Sequence, residues 1–146
     1  MKNLVLYLFF CCVSTVFAQT KNVSPSIISD DVSIKKYHNK SELNKMDKGE
    51  LLTLYIERIE SLVKTLPYIA FATKPGKTLS TFGIPNSKLN TKALKDKENA
   101  TVDFIETTSD FHKKMLPYAD KSNLIAGILF YEETMKLLHE YKEVIE

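Results

Sequence analysis

The sequence predicts an all-α protein, a single three- or four-helix bundle that follows a cleaved signal peptide. Apolar residues recur three and four positions apart over three long segments, and a capping signal precedes the first of them. No series of alternating, strand-like segments and no glycine-rich phosphate loop occurs. We expect a short helix at residues 41–46 and long helices at 48–72, 91–120 and 123–145. A helical pair that is completed by a partner chain is the alternative architecture.

The first 18 residues have the layout of a secretory signal peptide. Lys2 supplies a positive start, residues 4–13 are almost wholly apolar, and residues 16–18 resemble a cleavage site that ends at Ala18. The apolar run is shorter than the roughly 20 residues that a membrane-spanning helix needs. We therefore expect export to the periplasm or the extracellular space, cleavage after Ala18, and no transmembrane anchor in the mature chain.

The composition argues against several classes of protein. Both cysteines, Cys11 and Cys12, lie in the signal segment, so the mature chain is predicted to have no disulfide and no thiolate metal site. Of the 20 basic residues, Lys2 is removed with that segment, which leaves 19 basic against 18 acidic residues. Because the chain has no basic block, nucleic acid is not expected as a partner.

The mature chain divides into a leader and a helical domain. Residues 19–40 contain Pro25 and several serines, and are expected to form a leader or a partly disordered strap. The helical domain is expected to span residues 41–146, with Ser41 as the N-cap of the short helix.

Each long helix has its own signals. Asp47 followed by Glu50 is a capping-box pattern that opens the first long helix. Asn90 or Thr91 is expected to cap the second, and Ser122 or Asn123 the third. The second long helix carries two apolar stripes. One comprises Val102, Ile105, Ser109, His112, Leu116 and Ala119, and the other Phe104, Thr108, Phe111, Met115 and Tyr118.

The predicted core draws on all three long helices. Gly127 lies in the most apolar part of the last helix, and a glycine there indicates the close approach of a neighbouring helix. The residues expected to be buried are Ile59, Leu62, Ile105, Phe111, Leu124, Ile128 and Leu129.

The tripeptide Leu-Pro-Tyr occurs twice, at residues 66–68 and 116–118. A proline inside a helix removes one hydrogen bond and crowds the carbonyl four residues back, so each copy is expected to kink its helix near the end. If the two helices are antiparallel, the two copies lie at opposite ends of the bundle. If they are parallel, both tyrosines share one end and line a pocket.

No catalytic, metal or cofactor site is predicted. His38 is expected to be solvated, His112 to be a satisfied interior or boundary residue, and His139 to be a boundary residue. No histidine follows a glutamate at the three-residue spacing that di-metal helical bundles use. A carrier of a small ligand or haem is the alternative function, with His112 or His139 and one of Met46, Met115 and Met135 as axial ligands.

The favoured function is that of a non-enzymatic exported protein that binds another protein. The connection at residues 74–90 is the longest inside the chain, and long loops on rigid scaffolds are frequent interaction sites. The predicted partner-binding residues are Tyr68, Phe82, Ile84 and Pro85. The alternative is that Phe82 and Ile84, with Leu79, only cover the end of the core.

Overall fold

The computed structural model describes residues 25–141 and shows an all-α protein in which three main helices pack together. The helices are α1 (Lys40–Lys45), α2 (Lys48–Thr65), α3 (Lys88–Met115) and α4 (Lys121–Tyr141). Short 3-10 turns occupy Asp30–Val32, Leu66–Tyr68, Leu79–Phe82 and Leu116–Tyr118. The all-α class is confirmed. The predicted signal peptide and the predicted last turn of the final helix lie outside the described residues.

The beginnings of α1 and α2 are fixed by reciprocal capping boxes. The Asn39 side chain accepts from the Glu42 amide at 3.0 Å, and Glu42 Oε2 accepts from the Asn39 amide at 2.9 Å. Asn39 and not Ser41 is therefore the N-cap of α1, because only Asn39 has a glutamate three residues later. The predicted box at Asp47 is confirmed, with both of its hydrogen bonds at 2.8 Å.

The predicted caps of α3 and α4 are wrong. Ser87 caps α3, since its hydroxyl accepts from the Asn90 amide at 3.2 Å. The Asn90 side chain instead donates to the Pro85 carbonyl at 2.8 Å. The last helix begins at Lys121, because the Asp120 carbonyl already accepts from the amides of Asn123 and Leu124.

Both copies of Leu-Pro-Tyr end a helix in a 3-10 turn, as the proline argument predicts. The first long helix consequently stops at Thr65 and not at residue 72. The second copy likewise ends α3 at Met115 rather than at residue 120.

The contacts of α2 define the directions of its neighbours. Moving along α2, Lys48 contacts the Pro117 carbonyl, Tyr55 contacts His112, and Glu60 contacts Ser109, so α3 is antiparallel to α2. The two Leu-Pro-Tyr turns therefore lie at opposite ends of the bundle. In contrast, α4 runs parallel to α2, and α2 packs against both helices while α3 and α4 have little direct contact with each other.

The main core lies between α1, α2 and α4, and consists of Leu43, Leu51, Leu54, Leu124, Ile125 and Ile128. The predictions for Leu62, Leu124 and Ile128 are confirmed. Ile59, Ile105 and Leu129 are only partly buried. The prediction for Phe111 is wrong, since 58% of this residue is exposed.

A second, smaller cluster joins the segment before α1 to the connection after α2. Ile27, Ile28 and Val32 pack with Ala72, and the Ile27 amide donates to the Lys77 carbonyl at 2.7 Å. Tyr68 and Leu79 are partly buried against this cluster. The segment from residue 25 to α1 therefore lies along the helices, and its apolar residues stabilise the fold.

Candidate functional site

The predicted partner-binding residues lie around the 3-10 turn Leu79–Phe82. Phe82 is 36% exposed, and its ring meets that of Phe71 edge-on with a centroid distance of 6.1 Å. Pro85 is exposed, whereas Ile84 is half-buried and its amide donates to the Leu79 carbonyl at 3.1 Å. Tyr68 is half-buried against the second cluster. These positions bring Phe82 to a surface, and the role of all four residues in binding stays a prediction.

A second candidate site was not predicted, and its central feature is a row of aromatic rings across three helices. His112 of α3 and Tyr131 of α4 both meet Tyr55 of α2 edge-on, with centroid distances of 5.5 and 5.2 Å. Phe111 extends the row beyond His112 at 5.9 Å, and Phe130 extends it beyond Tyr131 at 5.7 Å. Both end rings are exposed, Phe111 by 58% and Phe130 by 65%.

Tyr55 occupies the centre of this row because Gly127 leaves room for its ring. A Cβ atom on Gly127 would lie 2.5 Å from a carbon of the Tyr55 ring, which no real contact permits. This confirms the close approach that the sequence predicts at Gly127. The Tyr55 hydroxyl also lies 3.0 Å from that of Tyr131. Burial, together with this hydrogen bond, raises the pKa of Tyr131.

His112 is half-buried at the floor of the row, and its predicted boundary position is confirmed. The hydrogen-bonding capacity of its imidazole is not fully satisfied, however, because the buried Nδ1 has no hydrogen-bond partner among residues 25–141. Burial lowers the pKa of the imidazole, so the ring is neutral at pH 7. A neutral ring suits a surface made of other aromatic side chains.

The helix α3 has unusually little buried apolar surface. Its two buried residues are Thr101 and Ser109, both polar. In contrast, Phe104, Phe111 and Met115 are each more than half exposed, at 54%, 58% and 51%. These three residues belong to the second predicted stripe of α3. We use the term open face for the surface formed by Phe104, Phe111 and Met115 of α3, Tyr55 of α2, and Phe130 and Tyr131 of α4.

The two stripes of α3 explain why the open face exists. A helix that packs on one neighbour buries only the stripe that faces this neighbour, and here Ile105, Ser109 and His112 face α2. The sequence contains both stripes, but it does not reveal that Phe104, Phe111 and Met115 of the second stripe remain more than half exposed.

A buried charge network holds the segment before α1 against α2 and α4. Arg58 donates from Nε to Glu132 Oε1 at 2.8 Å and from a terminal nitrogen to the Lys36 carbonyl at 2.7 Å. Glu132 also accepts from the amide and from Nδ1 of His38, at 2.5 and 3.0 Å. The prediction of a solvated His38 is therefore wrong: its side chain is 9% exposed. Local patterns in the sequence do not indicate this contact, since Glu132 is 94 positions away from His38.

The pKa of Glu132 reflects competition between burial and hydrogen bonding. Burial alone would raise it, but the hydrogen bonds from His38 and Arg58, with the charge of Arg58, lower the pKa below its usual value. The carboxylate is therefore ionised and bound to donors on two sides. Its three hydrogen bonds, one from Arg58 and two from His38, join α4 to α2 and to the segment before α1.

The methionines suggested for a ligand carrier lie in three different surroundings. Met135 is 2% exposed, Met46 packs on the main core, and Met115 is on the open face. His139 is a boundary residue, as predicted, with Nδ1 3.5 Å from the Tyr37 hydroxyl. A cavity of about 160 Å³ near Lys64, Tyr68 and Glu98 has neither a histidine nor a methionine in its lining. Within the described chain, no group of three or more potential ligands is placed to hold a metal ion.

Comparisons with known proteins found no match among family models, curated proteins or solved structures. Between residues 25 and 141, no helix combines the length and the apolar character needed to cross a membrane.

Proposed function

We propose that this chain is an exported, non-enzymatic binding protein of the cell envelope or the extracellular space. Its partner is another protein, which it contacts through the open face. The single observation that carries the proposal is the long helix α3, which buries two polar residues while it exposes Phe104, Phe111 and Met115.

The free energy of apolar burial supports this proposal. Burying a large apolar side chain stabilises a protein by about 1.5–3 kcal/mol relative to leaving it in water. Single exposed apolar residues need no explanation, but a contiguous exposed patch on a soluble domain is typical of an interaction surface. On the open face, two phenylalanines lie at the ends of a connected row of rings, and Phe104 and Met115 extend the patch along α3.

Export is part of the proposal and follows from the sequence. N-terminal sequencing of the protein recovered from its host compartment is expected to begin at Gln19. Recovery of the chain with Met1 in a cytosolic pool would contradict export. The alternative function, a carrier of a small ligand or haem, gains no support from the described histidines and methionines, because none of them lines the cavity near Tyr68.

Photo-crosslinking in the native host tests the binding function. Benzoylphenylalanine is placed at position 111, on the open face, and in a matched strain at position 102. Val102 is a suitable control because it is also exposed, by 46%, yet is not part of the open face. We expect position 111 to give a specific protein adduct, identified by mass spectrometry, that position 102 does not give. No adduct at 111, or the same adducts at both positions, would contradict the proposed function.

A further inference from the structure

The three long helices resemble a four-helix bundle that lacks one member. In such a bundle, each helix packs against two neighbours and makes less contact with the helix diagonally opposite. Here α2 packs against both α3 and α4, whereas α3 and α4 have little direct contact with each other. They therefore occupy diagonal corners, and the open face marks the fourth corner, with the Tyr55 ring at its base.

The spacing of the exposed apolar residues fits a helix at this corner. Phe104 and Phe111 are seven residues apart on α3, and Phe130 and Leu137 are seven apart on α4. Seven residues make almost two turns, so each pair projects from one side of its helix, and both Phe130 and Leu137 are at least half exposed. Apolar residues that repeat at seven positions form the seam against which another helix packs.

Acidic residues follow the same repeat beside these apolar residues. Asp96, Asp103 and Asp110 are spaced by seven on α3, and the last two directly precede Phe104 and Phe111. Glu133 and Glu140 are likewise seven apart on α4. All five residues are exposed. Three of these carboxylates pair with a lysine of the same helix: Asp96 with Lys92, Asp110 with Lys113, and Glu133 with Lys136. Such exposed ion pairs contribute little to stability, so these carboxylates can pair with a partner's charges instead.

From this placement we infer that the open face binds an amphipathic α-helix of a partner protein that carries lysine or arginine along the edges of its apolar stripe. The inference rests on the proposed function and specifies its partner. A second copy of this chain fits less well, because a two-fold axis would place one acidic row of α3 against the other, and like charges across an interface are repulsive. An anionic membrane surface is disfavoured for the same reason.

Binding of three synthetic peptides to the exported chain, purified from its host, tests this inference. The basic peptide has 21 residues, with leucine at the a and d positions of three heptads and lysine at e and g. The acidic peptide has glutamate at e and g, and the scrambled peptide has the composition of the basic one without its periodicity. Fluorescence anisotropy at physiological salt is expected to show binding of the basic peptide at least tenfold tighter than that of either other peptide.

Variants connect the binding to the open face. Phe104→Ser combined with Phe111→Ser is expected to weaken the binding of the basic peptide by tenfold or more. Val102→Ser is expected to change this binding less than twofold. Asp103→Lys combined with Asp110→Lys is expected to reduce the preference for the basic over the acidic peptide at least tenfold. All substituted residues are exposed, and far-UV circular dichroism checks that each variant remains folded.

Several outcomes would overturn the inference. Equal binding of the basic and scrambled peptides would show that charge attracts the peptide without recognition of a helix. Equal binding of the basic and acidic peptides would show that the acidic rows do not select a basic partner. Three other results would assign the corner to another occupant. They are a dimer that competes with the peptide, peptide binding that occurs only after residues 19–24 are removed, and preferential binding to anionic phosphatidylglycerol vesicles. If position 111 still captures a protein in the host, the proposed function survives and only the class of partner is wrong.

Discussion

Arg58 Nε lies 2.8 Å from Glu132 Oε1, and the two side chains are 2% and 1% exposed. Each also holds the segment before α1, since Arg58 donates to the Lys36 carbonyl and Glu132 accepts twice from His38. The pair thus connects α2, α4 and an otherwise irregular segment. This arrangement gives the network a structural role.

Removing one member of this pair is expected to destabilise the protein strongly. Glu132→Ala leaves the Arg58 guanidinium buried without its carboxylate, and such a change costs about 3–5 kcal/mol of unfolding free energy. The double variant Arg58→Met with Glu132→Leu removes both charges and is expected to lose less than the sum of Arg58→Met and Glu132→Leu measured singly. Urea denaturation of the unmodified protein and of these four variants gives the free energies of unfolding. Additive losses would show that the two residues are not energetically coupled.

Gly127→Ala is expected to destabilise the protein although alanine favours helix by about 1 kcal/mol. The added Cβ would meet the Tyr55 ring at 2.5 Å, and overpacking of this kind costs about 1–3 kcal/mol. Ala126→Gly, at the exposed neighbouring position, calibrates the helix propensity of α4 and is expected to lose about 1 kcal/mol. Thermal denaturation provides the comparison. A stabilised Gly127→Ala variant would mean that Tyr55 does not occupy this site.

The stability of the protein is expected to fall as the pH decreases below about 6.5, the unperturbed value for histidine. Burial lowers the folded-state pKa of His112, so the unfolded chain takes up this proton at a higher pH than the folded chain does. The free energy of unfolding therefore decreases from that pH down to the folded-state pKa, below which this contribution is lost in full. His139, whose pKa burial also lowers, acts in the same direction.

His112→Leu isolates this effect. The variant removes the titrating ring and the unpaired Nδ1, so its stability is expected to change less between pH 7 and pH 5 than that of the unmodified protein. Lys113→Gln, at an exposed neighbouring position, is expected to leave the pH dependence unchanged. If His112→Leu has the same pH dependence as the unmodified protein, His112 does not titrate with a lowered pKa.

Phe82→Ala distinguishes the two interpretations of the predicted loop site. Phe82 is partly exposed and meets Phe71 edge-on, so the loss of stability is expected to be about 1 kcal/mol, the range of an aromatic pair. Ile28→Ala, at a fully buried position of the adjacent cluster, is the matched control and is expected to lose about 2–5 kcal/mol. A loss as large as that of Ile28→Ala would place Phe82 in the core and remove it from any interface.

Local signals in the sequence predict the helices well and the burial of α3 poorly. The box at Asp47 and both Leu-Pro-Tyr ends depend on residues within four positions of each other, so periodicity and capping rules suffice. Burial of Phe111 depends on whether a distant segment covers the second stripe of α3. The spacing of apolar residues along the helix does not predict such a contact. The same limit applies to His38, whose buried partner Glu132 is 94 positions away. Gly127 is an exception to this limit. A glycine in an apolar helix predicts close packing against a distant residue, although it does not identify that residue as Tyr55.

Accessibility of position 111 in its native setting tests the central claim most directly. Phe111→Cys is compared with Val102→Cys, and Cys11 and Cys12 are replaced by alanine so that each chain has one thiol. Both thiols are expected to react rapidly with a maleimide in the purified protein, since Phe111 and Val102 are 58% and 46% exposed. In the native cell compartment, we expect position 111 to be protected at least tenfold and position 102 to remain reactive. Equal reactivity of the two positions in the native compartment would show that no partner covers the open face.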